Sequence, residues 1–172
     1  HRYVKLVSST PIRNMATIAG NFVNASPIWD LTIFFLALDA KLVLTPNPSP
    51  RGGEGGSSVS EREISLRSFY KGYKQLDKSP DEIISKIWFT IPEKGSYFNF
   101  EKVSKRTHLD IASVNSAILL TMNGNEIAKA AISAGGVGPV HMYLQKTSEY
   151  LKGKKITDET ISGAIQIMKT EI

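Results

Sequence analysis

Residues 12–31 of this chain read IRNMATIAGNFVNASPIWDL, and they carry more structural information than any other stretch. Ala19 and Gly20 have side chains small enough for the backbone to approach a bulky anion closely. In residues 17–21, successive backbone N–H groups can point at such an anion. The segment therefore predicts either a phosphate-binding turn or an ordinary tight turn.

The second half of this stretch contains the signals of a helix start. Ser26 followed by Pro27 is typical of an N-cap and a first helical position, and Asp30 would complement the helix dipole. We expect a helix from Pro27 to about Asp39. Residues 31–38 are almost entirely apolar, so this helix should be buried.

The composition limits the chemistry of the chain. It has 172 residues, 41% of them hydrophobic, which is enough for a substantial core. It contains no cysteine, which excludes disulfides, thiolate nucleophiles and cysteine-ligated zinc or iron–sulfur centres within the chain. Its three histidines lack the spacing of metal ligands, so we expect no metal site. No carboxylate pair is placed for acid–base work, so no catalytic residue is predicted.

The formal net charge of +5 comes from basic residues that are interleaved with acidic ones. The short basic clusters at 102–106 and 152–155 lack the aromatic residues of a nucleic-acid stacking surface. We expect no nucleic-acid binding, since an anionic cofactor or an acidic partner fits the charge equally well. The apolar run 31–38 is far shorter than the roughly 20 residues of a membrane span, and no signal-peptide pattern is present. The sequence therefore favours a cytoplasmic protein without a membrane segment.

Residues 45–58 are almost entirely proline, glycine and serine, a composition that cannot bury enough apolar surface to become ordered. Strand-like runs at 41–44 and 62–66 flank this segment, so we interpret residues 45–60 as a flexible insertion between two neighbouring strands. Deleting residues 46–58 should leave stability nearly unchanged.

The remaining elements follow from local patterns. Asn123-Gly124 between two β-branched and small-residue runs is a strong hairpin signal. Gly135-Gly136-Val137-Gly138 lacks the spacing of a dinucleotide loop and is interpreted as a loop or helix entry. We expect strands at 83–91, 98–105, 111–122 and 126–134, a helix at 140–151, and an amphipathic helix capped by Thr157.

The order and spacing of residues in 17–31 resemble a known family. Thr17-Ile18-Ala19-Gly20-Asn21, followed by Ser26-Pro27-Ile28-Trp29-Asp30-Leu31, is similar to the second pyrophosphate-binding segment of the FAD-binding subunit in molybdenum hydroxylases. This family includes xanthine dehydrogenase and carbon monoxide dehydrogenase. In two positions the chain departs from the family pattern: Ala19 replaces a glycine, and Trp29 replaces a small residue.

The resemblance implies where FAD would be held. Thr17, Ala19, Gly20 and Asn21 would contact the pyrophosphate and adjacent sugar. Asp30 would accept hydrogen bonds from the ribose or adenine end, with a plain dipole partner at the helix start as the alternative.

Two later segments extend the resemblance. Residues 69–74 and 80–84 are similar to family motifs that would place Ile84 against the isoalloxazine edge. Residues 102–106 resemble a further motif that would place Lys102 near the flavin N1 and O2 atoms, where a cation raises the reduction potential. The alternative is that Lys102 is a solvated strand lysine.

The resemblance covers nearly the whole chain and implies an α+β fold. Residues 1–94 would be the rest of an FAD-binding α/β subdomain, and residues 95–172 a C-terminal subdomain with a three-stranded antiparallel sheet and helices. The family's first FAD loop would lie upstream of His1, so this stretch is interpreted as a piece of a longer subunit that does not retain FAD or act alone.

The implied function is electron transfer by a flavoprotein oxidoreductase. Electrons would pass from [2Fe–2S] clusters of an iron–sulfur partner through FAD to an acceptor such as NAD, and substrate hydroxylation would belong to a molybdopterin-binding partner. The sequence leaves two alternatives open: a flavin-less assembly module derived from this family, and an unrelated α+β binding domain.

Overall fold

The computed structural model describes residues 3–46, 61–106 and 109–172. Its helical elements are a short 3-10 helix at Tyr3–Leu6 followed by α1 (Thr10–Met15), α2 (Ile18–Asn24), α3 (Asp30–Ala37), α4 (Leu66–Phe69), α5 (Gln145–Leu151) and α6 (Asp158–Glu171). None of the helices in these ranges is long and apolar enough to span a bilayer.

The strands of the described ranges form three antiparallel sheets. They are β1 (Lys41–Pro46), β2 (Arg62–Ser65), β3 (Tyr70–Gly72), β4 (Gln75–Leu76), β5 (Glu82–Trp88), β6 (Ser96–Val103), β7 (Val114–Asn123), β8 (Glu126–Gly135) and β9 (Met142–Tyr143). The first sheet has the order β2-β1-β5, β3 and β4 form a small ribbon, and the last sheet has the order β6-β7-β8-β9.

Helix α3 lies at the centre of the core, as its apolar sequence predicted. Ile33 and Leu36 are fully buried, and the helix packs against β7 and β8. Ser133 on β8 donates a hydrogen bond from Oγ to the carbonyl of Ile33 at 2.7 Å. One hydrophobic cluster includes residues from α2, α3, β1, β6 and β7, so the two halves of the chain share a core.

Helix α3 begins at Asp30, three residues later than the Ser-Pro signal predicted. The N–H of Trp29 donates to the carbonyl of Ser26 at 3.1 Å, so Ser26 and Pro27 open a turn instead of the helix. Trp29 is the N-cap, with extended backbone and no capping hydrogen bond from its side chain. Asp30 keeps its predicted place in the first turn.

The predicted hairpin is present as β7 and β8, but its turn is shifted by one residue. Asn123 pairs with Glu126, so Gly124 and Asn125 form the two-residue loop. Of these two, only Gly124 has a positive φ, at 59°. An irregularity between Thr121 and Met122 shifts the register next to the turn.

The C-terminal sheet gains a fourth strand that the sequence did not predict. Met142 pairs with Ala134 and Tyr143 with Ser133, so the expected helix at 140–151 begins only at Gln145. The last helix forms as predicted, with Thr157 Oγ1 accepting from the N–H of Thr160 at 3.2 Å. The antiparallel pairing of β1 with β2 matches the expected neighbouring strands. The expected insertion itself falls largely on residues 47–60, outside the described ranges.

Candidate functional site

Two adjoining cavities lie beside α1, α2 and the start of α3. The larger, of about 470 Å³, is lined by Asp30 and Lys102 among other residues. The smaller, of about 240 Å³, is lined by Thr17 and Asn21. Both cavities are also lined by Ser8, Ile12 and Trp29. The fold therefore brings four of the sequence-predicted binding residues to one cleft.

The small-residue segment is the beginning of α2, not the turn that the sequence predicted. Thr17 is the N-cap, and its Oγ1 accepts from the N–H of Gly20 at 3.0 Å. A Cβ at position 20 would lie 2.8 Å from that oxygen, so Gly20 leaves room for the cap. Ala19 is an ordinary helical residue without positive φ, so its methyl group causes no backbone strain.

Asn21 is the buried polar residue of the smaller cavity, with only 6% of its surface exposed. Its Nδ2 donates to the carbonyl of Thr17 at 2.8 Å. Its Oδ1 has no hydrogen-bond partner in the part of the chain that the structure describes. Burying an unpaired polar atom costs free energy, so a ligand donor that reached this oxygen would stabilise it.

Asp30 and Lys102 form a buried ion pair in the larger cavity. The Lys102 Nζ and Asp30 Oδ2 atoms are 2.7 Å apart, and each side chain has 7% of its surface exposed. Lys102 also donates to the carbonyl of Leu6 at 2.9 Å. Asp30 Oδ1 accepts from Asn115 Nδ2 at 2.8 Å, and that amide also donates to the carbonyl of Ile28.

This pair changes the interpretation of both residues. Lys102 is not the solvated strand lysine of the alternative, because its side chain is almost fully buried. The resemblance assigned Asp30 and Lys102 to different parts of FAD, whereas here their charged groups are in direct contact. An ammonium carries three N–H donors, and two of those on Lys102 are used by Asp30 and Leu6, which leaves one for a ligand.

Gly135 and Gly136 hold the segment before α3 against the last sheet. The N–H of Gly136 donates to the carbonyl of Pro27 at 2.9 Å. A Cβ at Gly135 would lie 2.3 Å from Asn115 Oδ1, and one at Gly136 would lie 2.3 Å from the carbonyl oxygen of Ser113. Gly135 is the last residue of β8, and the loop that the sequence indicated begins at Gly136 and positions the turn that leads to Asp30.

Ile84 lies in another part of the molecule from the Asp30–Lys102 pair. It is half-buried in β5, opposite Leu44 of β1, and packs against the main hydrophobic cluster. Lys102, in contrast, lies on β6 of the last sheet. Lys102 and Asp30 line the same cavity, and Ile84 is not among the residues that line it.

An ion network beside Ile84 was not predicted from the sequence. Arg62 donates to both carboxylate oxygens of Glu82, at 2.6 and 2.9 Å, and to Asp77 at 3.0 Å. The Arg62 hydrogen bonds lower the pKa of Glu82 to about 2. The network joins Arg62 on β2 to Glu82 on β5. These residues lie 20 positions apart in the sequence, so no local pattern predicted their contact.

His141 and Asn115 are two further buried residues that sequence reasoning missed. His141 is 5% exposed, lies 5.0 Å from the ring of Tyr70 by centroids, and burial lowers its pKa to about 4. A detectable signal existed for Asn115, because asparagine is disfavoured inside a strand unless it has a partner. The burial of His141 depends on packing between distant segments and left no sequence signal.

Within the described ranges, no cluster of three histidines or acidic residues is placed to hold a metal ion.

Two family models together cover nearly the whole chain. Residues 1–94 match the FAD binding domain in molybdopterin dehydrogenase, and residues 99–172 match the CO dehydrogenase flavoprotein C-terminal domain. The chain therefore belongs to the FAD-binding flavoprotein family of the molybdopterin dehydrogenases. The comparisons confirm the resemblance that residues 17–31 indicated. They also confirm the fold class and FAD as the cofactor of the family.

The chain spans only part of the length of the relatives that it matches. It is 32% identical to the xanthine dehydrogenase of Emericella nidulans over 173 residues, and 34% identical to that of Blastobotrys adeninivorans over 175 residues. These alignments cover 99% and 98% of this chain but 12% of each relative. It superposes on reconstituted CO dehydrogenase from Oligotropha carboxidovorans with a TM-score of 0.83 and 25% identity, covering 96% of this chain and 54% of that one.

The residues of the cleft fit the chemistry of FAD. The first turn of α2 presents backbone N–H groups, which suit phosphate oxygens. The unpaired Oδ1 of Asn21 suits a hydroxyl donor, and the remaining N–H of Lys102 suits a carbonyl or ring-nitrogen acceptor.

Proposed function

We propose that this chain forms the FAD-binding part of an oxidoreductase of the molybdenum hydroxylase type. In this proposal, FAD receives electrons from [2Fe–2S] clusters of an iron–sulfur partner and passes them to an acceptor such as NAD, while a molybdopterin-binding partner oxidises the substrate. The observation that carries the proposal is the convergence of Thr17, Asn21, Asp30 and Lys102 on one cleft in a chain of this family.

The chain's own task is to bind and orient the cofactor, which supplies the redox chemistry when bound. Thr17, Ala19, Gly20 and Asn21 would hold the phosphates and the adjoining sugar, through the backbone of the first turn of α2 and the Asn21 side chain. The positive end of the helix favours an anion there, and the N–H of Ala19 is not used by the Thr17 cap.

Asp30 and Lys102 would orient the rest of the cofactor as a pair. Asn115, itself held by the carbonyl of Ile28, fixes Asp30, and the carbonyl of Leu6 fixes Lys102, so the geometry of the pair is established before a ligand binds. Such preorganisation lowers the entropy cost of binding. Ile84, which lies on β5 and apart from the cleft, would contact the edge of the flavin.

The test is the FAD content of the flavoprotein purified together with the partners it assembles with. The wild type should contain FAD, and Asn21→Asp should lower its affinity for FAD by at least about tenfold, because a carboxylate replaces a neutral amide beside the phosphates. This substitution changes charge with almost no change of shape.

Asn14→Asp is the matched control, since Asn14 is exposed on α1 and lines neither cavity. It adds the same charge outside the cleft and should leave FAD content unchanged. Purified wild-type protein without flavin would reject the proposal and favour the flavin-less assembly module.

A further inference from the structure

The wall between the two cavities consists of residues that line both of them. Ser8, Ile12 and Trp29 have this position, and Trp29 has the largest side chain of the three. Thr17 and Asn21 lie on one side of the wall, and Asp30 and Lys102 on the other. A ligand that contacts both sides must cross these shared residues.

The segment that contributes Ser8 and Ile12 is held in place by its own hydrogen bonds. Arg13 donates to the carbonyl of Val7 at 2.6 Å, to the carbonyl of Ser8 and to Thr10 Oγ1. Lys102 holds the same segment through the carbonyl of Leu6. Moving this segment would break several hydrogen bonds, including one to the buried ion pair.

The side chain of Trp29, in contrast, makes none of these hydrogen bonds. Trp29 is the N-cap of α3, yet its side chain makes no capping hydrogen bond. Ser, Thr, Asp and Asn are the residues that stabilise this position. Its side chain is only half-buried, and rotation about its side-chain torsions leaves the hydrogen bonds of the wall intact.

We propose that the Trp29 side chain is a gate between the two halves of the cleft, which must turn aside before a dinucleotide such as FAD can span them. This inference rests on the proposed function, because it concerns the entry of the same cofactor. It assigns to Trp29 control over the rate of cofactor exchange and over the length of ligand that the cleft accepts.

The experiment measures FAD binding to the assembled flavoprotein after its FAD has been removed, by following flavin fluorescence in a stopped-flow instrument. Trp29→Ser should raise the association rate constant by at least about tenfold, and dissociation should also accelerate because a gate is passed in both directions. Serine is a favourable N-cap, so this variant should retain α3. Trp29→Phe, with a smaller ring, should give an intermediate rate.

Trp88→Phe is the matched control, because Trp88 is the other tryptophan of the chain and donates to Glu63 on β2, away from the cleft. It should leave both rate constants unchanged. Equal association rates in wild type and Trp29→Ser would overturn the gate while leaving the proposed function intact. Faster dissociation alone would also overturn it, since Trp29 would then be a binding contact. Protein that neither contains nor rebinds FAD would reject the proposed function itself.

Discussion

The contact between Asp30 and Lys102 shows how one pair of residues can serve both the fold and the cofactor. Their charges lie on α3 and β6, which belong to different halves of the chain. A buried ion pair is costly to desolvate and is tolerated when further hydrogen bonds satisfy it. Here the Asn115 amide and the carbonyl of Leu6 supply them, so removal of one partner would leave the other charge buried and unpaired.

This pairing gives a prediction about the reduction potential of the bound flavin. Lys102→Met should lower the potential, because a cation that stabilises negative charge on the reduced flavin is lost. Asp30→Asn should raise it, because the same cation is then no longer neutralised. Spectroelectrochemical titration of the assembled flavoprotein measures both, and shifts of the same sign would show that the pair does not act on the flavin electrostatically.

His141 gives a prediction about pH. Its pKa is lowered to about 4 in the folded protein, compared with 6.5 in the unfolded chain, because burial disfavours the charged ring. The unfolded state therefore binds the proton first, and stability should fall by about 3 kcal/mol as the pH drops from 6.5 to 4.

The measurement is urea unfolding between pH 4 and pH 7.5 for the wild type and His141→Gln. Since carboxylates titrate equally in both proteins, the difference between their pH profiles isolates His141. Parallel profiles would mean that His141 protonates in the folded state without penalty.

At the scale of helices and strands, local signals predicted most elements but not their exact ends. The hairpin of β7 and β8, the capped helix α6 and the buried helix α3 follow from turn residues, a threonine cap and an apolar run. Helix α2 was missed because its alanine, glycine and asparagines also suit turns. Strand β9 was missed because two residues form it only through pairing with β8.

The glycines after β8 provide a prediction at this scale. Gly136→Ala should destabilise the protein because position 136 has φ of 78° and an added Cβ would lie 2.3 Å from the Ser113 carbonyl oxygen. Gly153→Ala is the matched control, with φ of 77° and open space around its Cβ. Both variants carry backbone strain of roughly 1 kcal/mol. Gly136→Ala should cost about 1–3 kcal/mol more, from the steric clash.

Chemical denaturation of the two variants compares these free energies directly. The clash should also displace Pro27 and thereby the start of α3, so FAD affinity should fall in Gly136→Ala alone. Equal destabilisation of both variants would show that the loop relaxes without disturbing the turn before Asp30.

At the scale of the whole molecule, the site depends on contacts that no local pattern contains. Sequence motifs identified Thr17, Asn21, Asp30 and Lys102 through a resemblance. Their arrangement as two cavities separated by Trp29 and its neighbours follows only from tertiary packing, including that of α3 against the last sheet. Periodicity and spacing give information only about residues that are close in sequence. Asp30 and Lys102 are 72 positions apart, so these patterns could not predict their contact.

The division of the chain into residues 1–94 and 95–172 remains a proposal, and the structure supplies a sharp test of it. Helix α3 from the first part packs on β7 and β8 from the second, and Phe34 meets Phe98 with ring centroids 4.6 Å apart. Both parts contribute to one hydrophobic cluster, so separation would expose apolar surface on each. The smaller cluster of Ile127, Leu151 and Ala164 lies wholly within the second part and would survive.

We therefore expect residues 95–172 expressed alone to show helical circular dichroism from α6 but poorly dispersed amide resonances, because α3 is missing from the face of β7 and β8. Co-expression of 1–94 and 95–172 as separate chains should yield a complex with restored dispersion, since the buried contacts do not require the peptide bond between them. The uncut chain in the same buffer is the reference for native dispersion. A cooperative, well-dispersed spectrum from 95–172 alone would show that the second part is an independent domain and that α3 is dispensable for its core.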